Sequence, residues 1–259
     1  MDGLPELLAR ADAHDALPRL GGMARPDGVV IVSEHYWAFA GVDGSLREGT
    51  MPTPSRVLRR LPLLRGLARL GASISPLLRS GGVAKRPERS LLLVALLAPF
   101  TLIFLPERVT TAVGIGLTLV LGAWMLRGRT LSLHGAEHRA IAAAEERRLV
   151  ATWKGSARPS RFAPRCGTNF AALVVPVSVL ADRAWPLAPA LWTAPALAML
   201  SLSVTMELWM AVQGSGRRVA RAFLLPGLGL QRLTTREPRL EETRVALRAV
   251  ESVLARELA

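Results

Sequence analysis

Apolar residues in this chain arrive in long uncharged blocks. "SLLLVALLAPFTLIFLP" (Ser90–Pro106) and "VTTAVGIGLTLVLGAWML" (Val109–Leu126) are separated only by Glu107 and Arg108. A third block, "FAALVVPVSVLA" (Phe170–Ala181), meets Asp182 and Arg183 and resumes as Ala184–Val212. Each is near the roughly 20 residues that a helix needs to cross a bilayer. The pattern predicts two helical hairpins, hence a mainly α, polytopic membrane protein with four transmembrane helices. Pro176, Pro186, Pro189 and Pro195 leave the ends of the third span open.

The flanking pattern is different. From Gly21 to Glu48, short β-rich runs (Val29–Val32, Tyr36–Phe39) alternate with the turn signals Asp27-Gly28 and Asp43-Gly44, which predicts a small sheet or hairpin. Leu58, Leu61, Leu64 or Leu67, and Leu70 then recur at helical spacing against Arg56, Arg59, Arg60 and Arg69. Such a helix lies in a membrane interface or packs on its own domain. "PGLGLQRLTTREP", with Pro226, Gly227, Gly229 and Pro238, predicts a bent, non-helical connection. Beyond Leu240 an amphipathic helix carries Val245, Leu247, Val250 and Leu254, its charges forming a solvated face. The expected organisation is an N-terminal segment 1–89, a hairpin 90–126, a segment 127–169, a second hairpin 170–212 and a C-terminal segment 213–259.

Charge sharpens this picture. The net charge is +13 although half of the residues are hydrophobic. Of 33 Lys and Arg, only Arg108 and Arg183 fall in the connections within the hairpins; all others lie in the three flanking segments. The positive-inside rule then puts those segments and both termini on the cytoplasmic side of the membrane. The first 20 residues have no apolar centre and predict no secretory signal. Cys166 is the single cysteine, which excludes an internal disulfide and suits a reducing compartment. Membrane lipids are the expected partners, with a protein partner or homo-oligomer as a further expectation. One tyrosine and no basic-aromatic stacking pattern argue against nucleic acid.

Candidate chemistry centres on "LHGAEHRAI". Residues four apart share a helix face, so His134 and His138 can hold one ion. Glu137 before the second histidine gives the H-x-x-E-H order, in which Glu is general base for a metal-activated water. Polar packing would explain the same five residues. A third ligand is needed for a catalytic zinc, and two candidates offer one. Cys166 has Arg165 beside it to favour its thiolate. Glu207 is an ionisable group within an apolar block that demands a partner. A small buried residue at a turn is the alternative for Cys166, and an ion pair with Arg217 or Arg218 for Glu207. Glu145 shares the histidine stripe but lies about 16 Å along the helix from His134, placing it for a substrate or a second ion.

"LHGAEHRAI", "PRCGTNF", Met206-Glu207, "PGLGLQRLTTREP" and "GGMARPDGV" together resemble the bacterial YqhQ-like membrane proteins, the family called domain of unknown function 1385. The likeness runs in order from about Gly21 to Leu254. It implies an integral membrane protein with metal-dependent enzyme chemistry. Carried over by position, its motif residues are His134, Glu137, His138, Glu145, Arg165, Cys166, Gly167, Glu207, Gln231, Thr234, Thr235, Arg236 and Glu237. The chain departs from the family pattern at Ala163, where His is usual, at Ala144, where Tyr is usual, and at Met23 and Asp27, which stand for Gln and Glu. A lost histidine at 163 would weaken or abolish activity if that histidine were a ligand or proton relay.

The expectation is therefore a zinc ion on His134 and His138 with Glu207 or Cys166, Glu137 as base, and Arg165 and Arg236 orienting an anionic substrate for hydrolysis. The rival class is a non-catalytic membrane scaffold or assembly factor that docks a protein or anionic lipid.

Overall fold

The alternation after Gly21 folds as an antiparallel meander in which each strand pairs with the next: β1 (Gly21–Arg25), β2 (Gly28–Val32), β3 (Tyr36–Gly41) and β4 (Leu46–Thr50). Successive side chains of a strand point to opposite faces, so Val29, Ile31, Ala38 and Ala40 share one face and enter the core. On the opposite face the rings of Trp37 and Phe39 lie where a Cβ at Gly49 or Gly28 would be, so these glycines leave slots for the rings. In the computed structural model, which describes residues 3–79, 81–101, 105–188, 190, 192–215 and 222–259, this sheet belongs to the first of two units.

Unit 1 takes residues from three stretches, Met1–Pro52, Met125–Cys166 and Leu228–Ala259. Two helices cover the sheet: α6 (Thr130–Glu145) packs on β1 and β2, and α11 (Leu240–Glu257) packs on α6, β2 and β3. Leu133, Ala136 and Ala140 meet Leu247, Val250, Val253 and Leu254 in the core, together with Leu8 of α1 (Leu4–Ala13) and Leu149 of α7 (Leu149–Trp153). Burying each Leu or Val contributes on the order of 1.5–3 kcal/mol. The charges of α11 do more than meet solvent. Arg248 donates to the Gly44 carbonyl (3.0 Å) and Ser252 to Glu48 (2.6 Å), while Glu257 accepts from Ser33 (2.5 Å) and the His35 amide (3.1 Å). Polar contacts thus fix α11 to the turns and edge of the meander.

Unit 2 takes Thr53–Trp124 and Gly167–Gly227. The helix expected from Ser55 onward is broken in two, α2 (Arg56–Arg60) and α3 (Leu64–Leu78), because Pro62 interrupts it and Leu63 adopts φ 67°. Gly66 lets α3 approach Met206 and the Ser203 carbonyl of α9 (Thr193–Gly214), which also packs against α8 (Gly167–Arg183) and α4 (Arg86–Thr101). α5 (Glu107–Leu126) completes the set.

Four membrane crossings are not what these helices provide. Among the described residues one helix is long and apolar enough to cross a membrane, Thr193–Gln213. Its 21 residues reach about 32 Å at 1.5 Å each, against a hydrocarbon core of about 30 Å. Only 28 % of its apolar window is buried, unlike the core helix of a water-soluble domain. The apolar part of α5 is shorter, Arg108–Trp124. α4 spends its first turns on Arg86, Glu88 and Arg89 and is described only to Thr101. α8 has 17 residues, with Pro176 inside and Asp182 and Arg183 at its end. Reading blocks by hydropathy alone ran across these ends. Pro189, Arg217 and Arg218 lie outside the described residues.

The stretch expected to be a bent connection is also different. Leu225–Thr234 forms a helix, α10. Pro226 stands in its first turn, where a missing N–H costs nothing. Gly227 is held close to Asn169, with no space for a Cβ.

Candidate metal centre

α6 is buried on nearly every side, from Leu133 through Ala144 apart from His134 and Ala142. Alanines and one glycine make that possible. At Gly135 the Arg236 carbonyl occupies the position a Cβ would take, and the Arg236 amide donates to Leu131 (2.8 Å). The chain after α10 therefore crosses α6 directly over the histidine pair.

His134 and His138 face each other with ring centroids 4.4 Å apart. Each ring has Nδ1 on a backbone carbonyl, Thr234 at 2.9 Å for His134 and Arg161 at 2.6 Å for His138. A carbonyl only accepts, so Nδ1 carries the hydrogen in both rings and each Nε2 presents its lone pair. The Nε2 of His134 lies 3.2 Å from the Cys166 sulfur. The Nε2 of His138 is buried with no hydrogen-bond partner among the described residues.

One ligand atom from each of His134, His138 and Cys166 can be chosen so that all lie within 4.8 Å of one another. A tetrahedral zinc with bonds of roughly 2.0–2.1 Å to nitrogen and 2.3 Å to sulfur holds its ligand atoms about 3.3–3.7 Å apart, so these atoms would close up by at most about 1.5 Å. Two imidazoles locked by carbonyls and one thiol are a donor set that suits zinc. An orphaned buried acceptor costs about 1–3 kcal/mol, which an ion at His138 would relieve.

Electrostatics agree with the geometry. Burial, and then the neighbouring His134, push the His138 pKa down to about 4; burial also lowers that of His134. Both rings are therefore neutral, as ligands must be. Glu137 is held against β1, its side chain where a Cβ at Gly22 would stand and one oxygen accepting from the Ala24 amide. Burial raises its pKa to about 8, and its Oε2 has no hydrogen-bond partner among the described residues.

Glu137, His138 and Cys166 line a small cavity of about 50 Å³ with Gly22, Ala163 and Phe162. Glu145 and Arg165 also line it and pair with each other at 2.8 Å. The buried Gln231 clamps Ala163 by donating to its carbonyl (2.8 Å) and accepting from its amide (2.9 Å), which fixes the loop that carries Cys166. Arg236 serves the site through its backbone, and its guanidinium does not line this cavity. Glu207 belongs to unit 2, where Arg65 engages both of its oxygens (2.8 and 2.5 Å) and the Leu63 amide donates to it (3.3 Å). Of the two proposed third ligands, Cys166 is the one gathered with the histidines.

Sequence reasoning had no means of finding the carbonyls of Arg161 and Thr234, which set the tautomers. Gly22 had left a signal, since a glycine inside a strand often marks a close approach.

The family model described as "Protein of unknown function (DUF1385)" matches residues 91–256. Among curated proteins, the chain is similar to "Uncharacterized protein YqhQ" of Bacillus subtilis (strain 168), at 32 % identity over 132 residues. That match covers 49 % of this chain and 41 % of the relative's length. No solved structure matches.

Proposed function

The chain belongs to the DUF1385 family of proteins of unknown function, and from that premise we propose that unit 1 is a metal-dependent hydrolase carried by a membrane-associated chain. The observation that carries this reading is the convergence of two tautomer-locked imidazoles on one buried thiol, with one ring nitrogen orphaned.

His134, His138 and Cys166 would hold a zinc ion. When bound, the ion supplies Lewis-acid polarisation of water or of the scissile group's oxygen. Glu137 takes up and returns a proton at Oε2. Its pKa of about 8 suits that exchange near neutral pH. Arg165, beside Cys166 and on the cavity wall, orients the substrate. Ala163 leaves a short side chain on that wall where the resemblance leads one to expect His.

Membrane association rests on α9. Unit 1 combines chain from both sides of α9, so a single crossing by α9 would pull unit 1 apart. With both termini on the cytoplasmic face of the bacterial inner membrane, a second stretch must therefore accompany α9 into the bilayer. A scaffold reading draws on the small inner cavity and the Gln231 clamp, with the ion pinning loops and not activating water.

The test uses the full chain purified in detergent. One zinc per chain is expected by mass spectrometry, lost in His138→Ala and kept in Glu207→Gln. Cobalt substitution should give a thiolate-to-metal charge-transfer band that Cys166→Ser abolishes. Absence of zinc after metal loading, or retention in His138→Ala, defeats the metal reading. Zinc without hydrolysis of any ester or amide panel compound, in a chain whose fold melts on chelation, favours the scaffold.

A further inference from the structure

A second, larger cavity of about 250 Å³ adjoins the one beside Cys166 and shares Leu20, Glu145 and Arg165 with it. Three arginines line it, Arg19, Arg147 and Arg165, against a single acidic residue, Glu145. Arginine stays charged at any accessible pH. The lining thus carries a net charge of about +2, the complement of a phosphate monoester near pH 7, whose charge is about −1.5 to −2.

Arg147 is the informative residue. It follows the end of α6 in a closed C-terminal turn, with the Arg148 amide donating to Ala143 (2.8 Å) and the Arg147 amide to Ala144 (3.3 Å). This is the position where glycine is usual, because the backbone there is left-handed. Arg147 nevertheless holds φ 56°. Its Nη2 donates to the Asp15 carbonyl (3.1 Å), while its buried Nη1 has no hydrogen-bond partner among the described residues. A side chain kept where glycine would be less strained, on the wall of an arginine-lined cavity, points to a ligand. The Arg165–Glu145 pair is more than a third exposed on both sides, so its net strength is small and a dianion can displace Glu145.

We propose that the cavity formed by Arg19, Arg147 and Arg165 binds the phosphate group of a phosphate-bearing substrate, whose scissile bond then extends past Arg165 into the chamber of His138 and Cys166. This assignment of substrate class rests on the hydrolase reading, but the phosphate subsite can be tested apart from it.

Titration calorimetry on the full chain, with inorganic phosphate and acetate as probes, tests it. Phosphate should bind one per chain and at least tenfold more tightly than acetate. Arg147→Gly should weaken phosphate at least tenfold without lowering the melting temperature, since glycine suits the turn. Arg19→Ala should weaken it too. The His134→Ala, His138→Ala double variant should keep phosphate binding. Phosphate bound by that double variant, even if the wild type holds no zinc, would leave this subsite standing while the metal reading fell. Equal affinities for phosphate and acetate, unchanged binding in Arg147→Gly, or binding only in zinc-loaded protein would overturn the subsite. Competition by glycerol phosphate identifies a soluble source and competition by phosphatidic acid vesicles a lipid source; competition by neither overturns the proposal.

Discussion

α6 and α9 invert the usual relation between polarity and burial. α6 carries two histidines, Glu137 and Arg139, yet it is enclosed almost completely. α9 is almost wholly apolar, yet few of its residues are fully buried and most are only half-buried. A buried ionisable group is costly unless it is paired, ligated or neutral. The enclosure of α6 therefore means that its groups have partners or an ion. An apolar helix left partly uncovered is costly in water, and α9 is long and apolar enough to cross a membrane.

The comparison can be broken at several points. The largest effect is expected from Gly135→Val, which forces a side chain into the Arg236 carbonyl. Unit 1 should lose about 3 kcal/mol or more, read by denaturant unfolding, and zinc with it. A wild-type melting curve would mean that α6 is less tightly enclosed than described.

The pH dependence of the metal-free chain comes next. Glu137, raised to about 8 from 4.5, keeps its proton in the fold after the unfolded chain has lost it, so it removes stability as pH rises between those values. His138, lowered from 6.5 to about 4, acts with the opposite sign and removes stability as pH falls through that window; His134 adds to it. Below pH 6.5 the two slopes oppose each other. Between 6.5 and 8 the contribution of Glu137 should lower stability by about 2 kcal/mol, and the exposed His35, whose pKa is raised by its hydrogen bond to Glu257, acts in the same direction. Glu137→Gln should flatten that decline, seen in urea midpoints at pH 6.5 and 8.

Gln231→Ala removes both hydrogen bonds to Ala163 and should cost about 1–3 kcal/mol. The same variant should bind zinc more weakly in a chelator competition, because the loop bearing Cys166 loses its clamp. The smallest effect on unit 1 is expected from Met199→Lys in α9. It should shift the chain from the membrane pellet toward the soluble fraction while leaving zinc content unchanged. A chain that stays fully in the pellet would contradict the embedding of α9.

Much of unit 1 was legible in its residues. The runs Val29–Val32 and Tyr36–Phe39 carry a sheet's alternation, and the spacing of His134 and His138 requires a shared helical face. Cys166 was readable as a ligand only in competition with Glu207, because no local spacing reveals that Arg65, 142 positions away in sequence, engages Glu207. The helix at Leu225–Thr234 was hidden by Pro226, Gly227 and Gly229, whose breaking tendencies are overridden by the close fit at Asn169. The four-span expectation failed because block hydropathy is blind to where helices end. Arg147 was invisible as a strained residue, since nothing in the sequence says which position closes a helix.

Unit 1 is drawn from three separated stretches, and the last is Leu228–Ala259. During synthesis the ribosome delivers His134, His138 and Cys166 well before Thr234, whose carbonyl orients His134, and before α11, which closes the core. Domains fold only as their last segments emerge. A nascent chain that has reached Cys166 thus has His134, His138 and Cys166 without the fold that gathers them. On the zinc reading proposed above, metal loading therefore waits until α11 has closed the core.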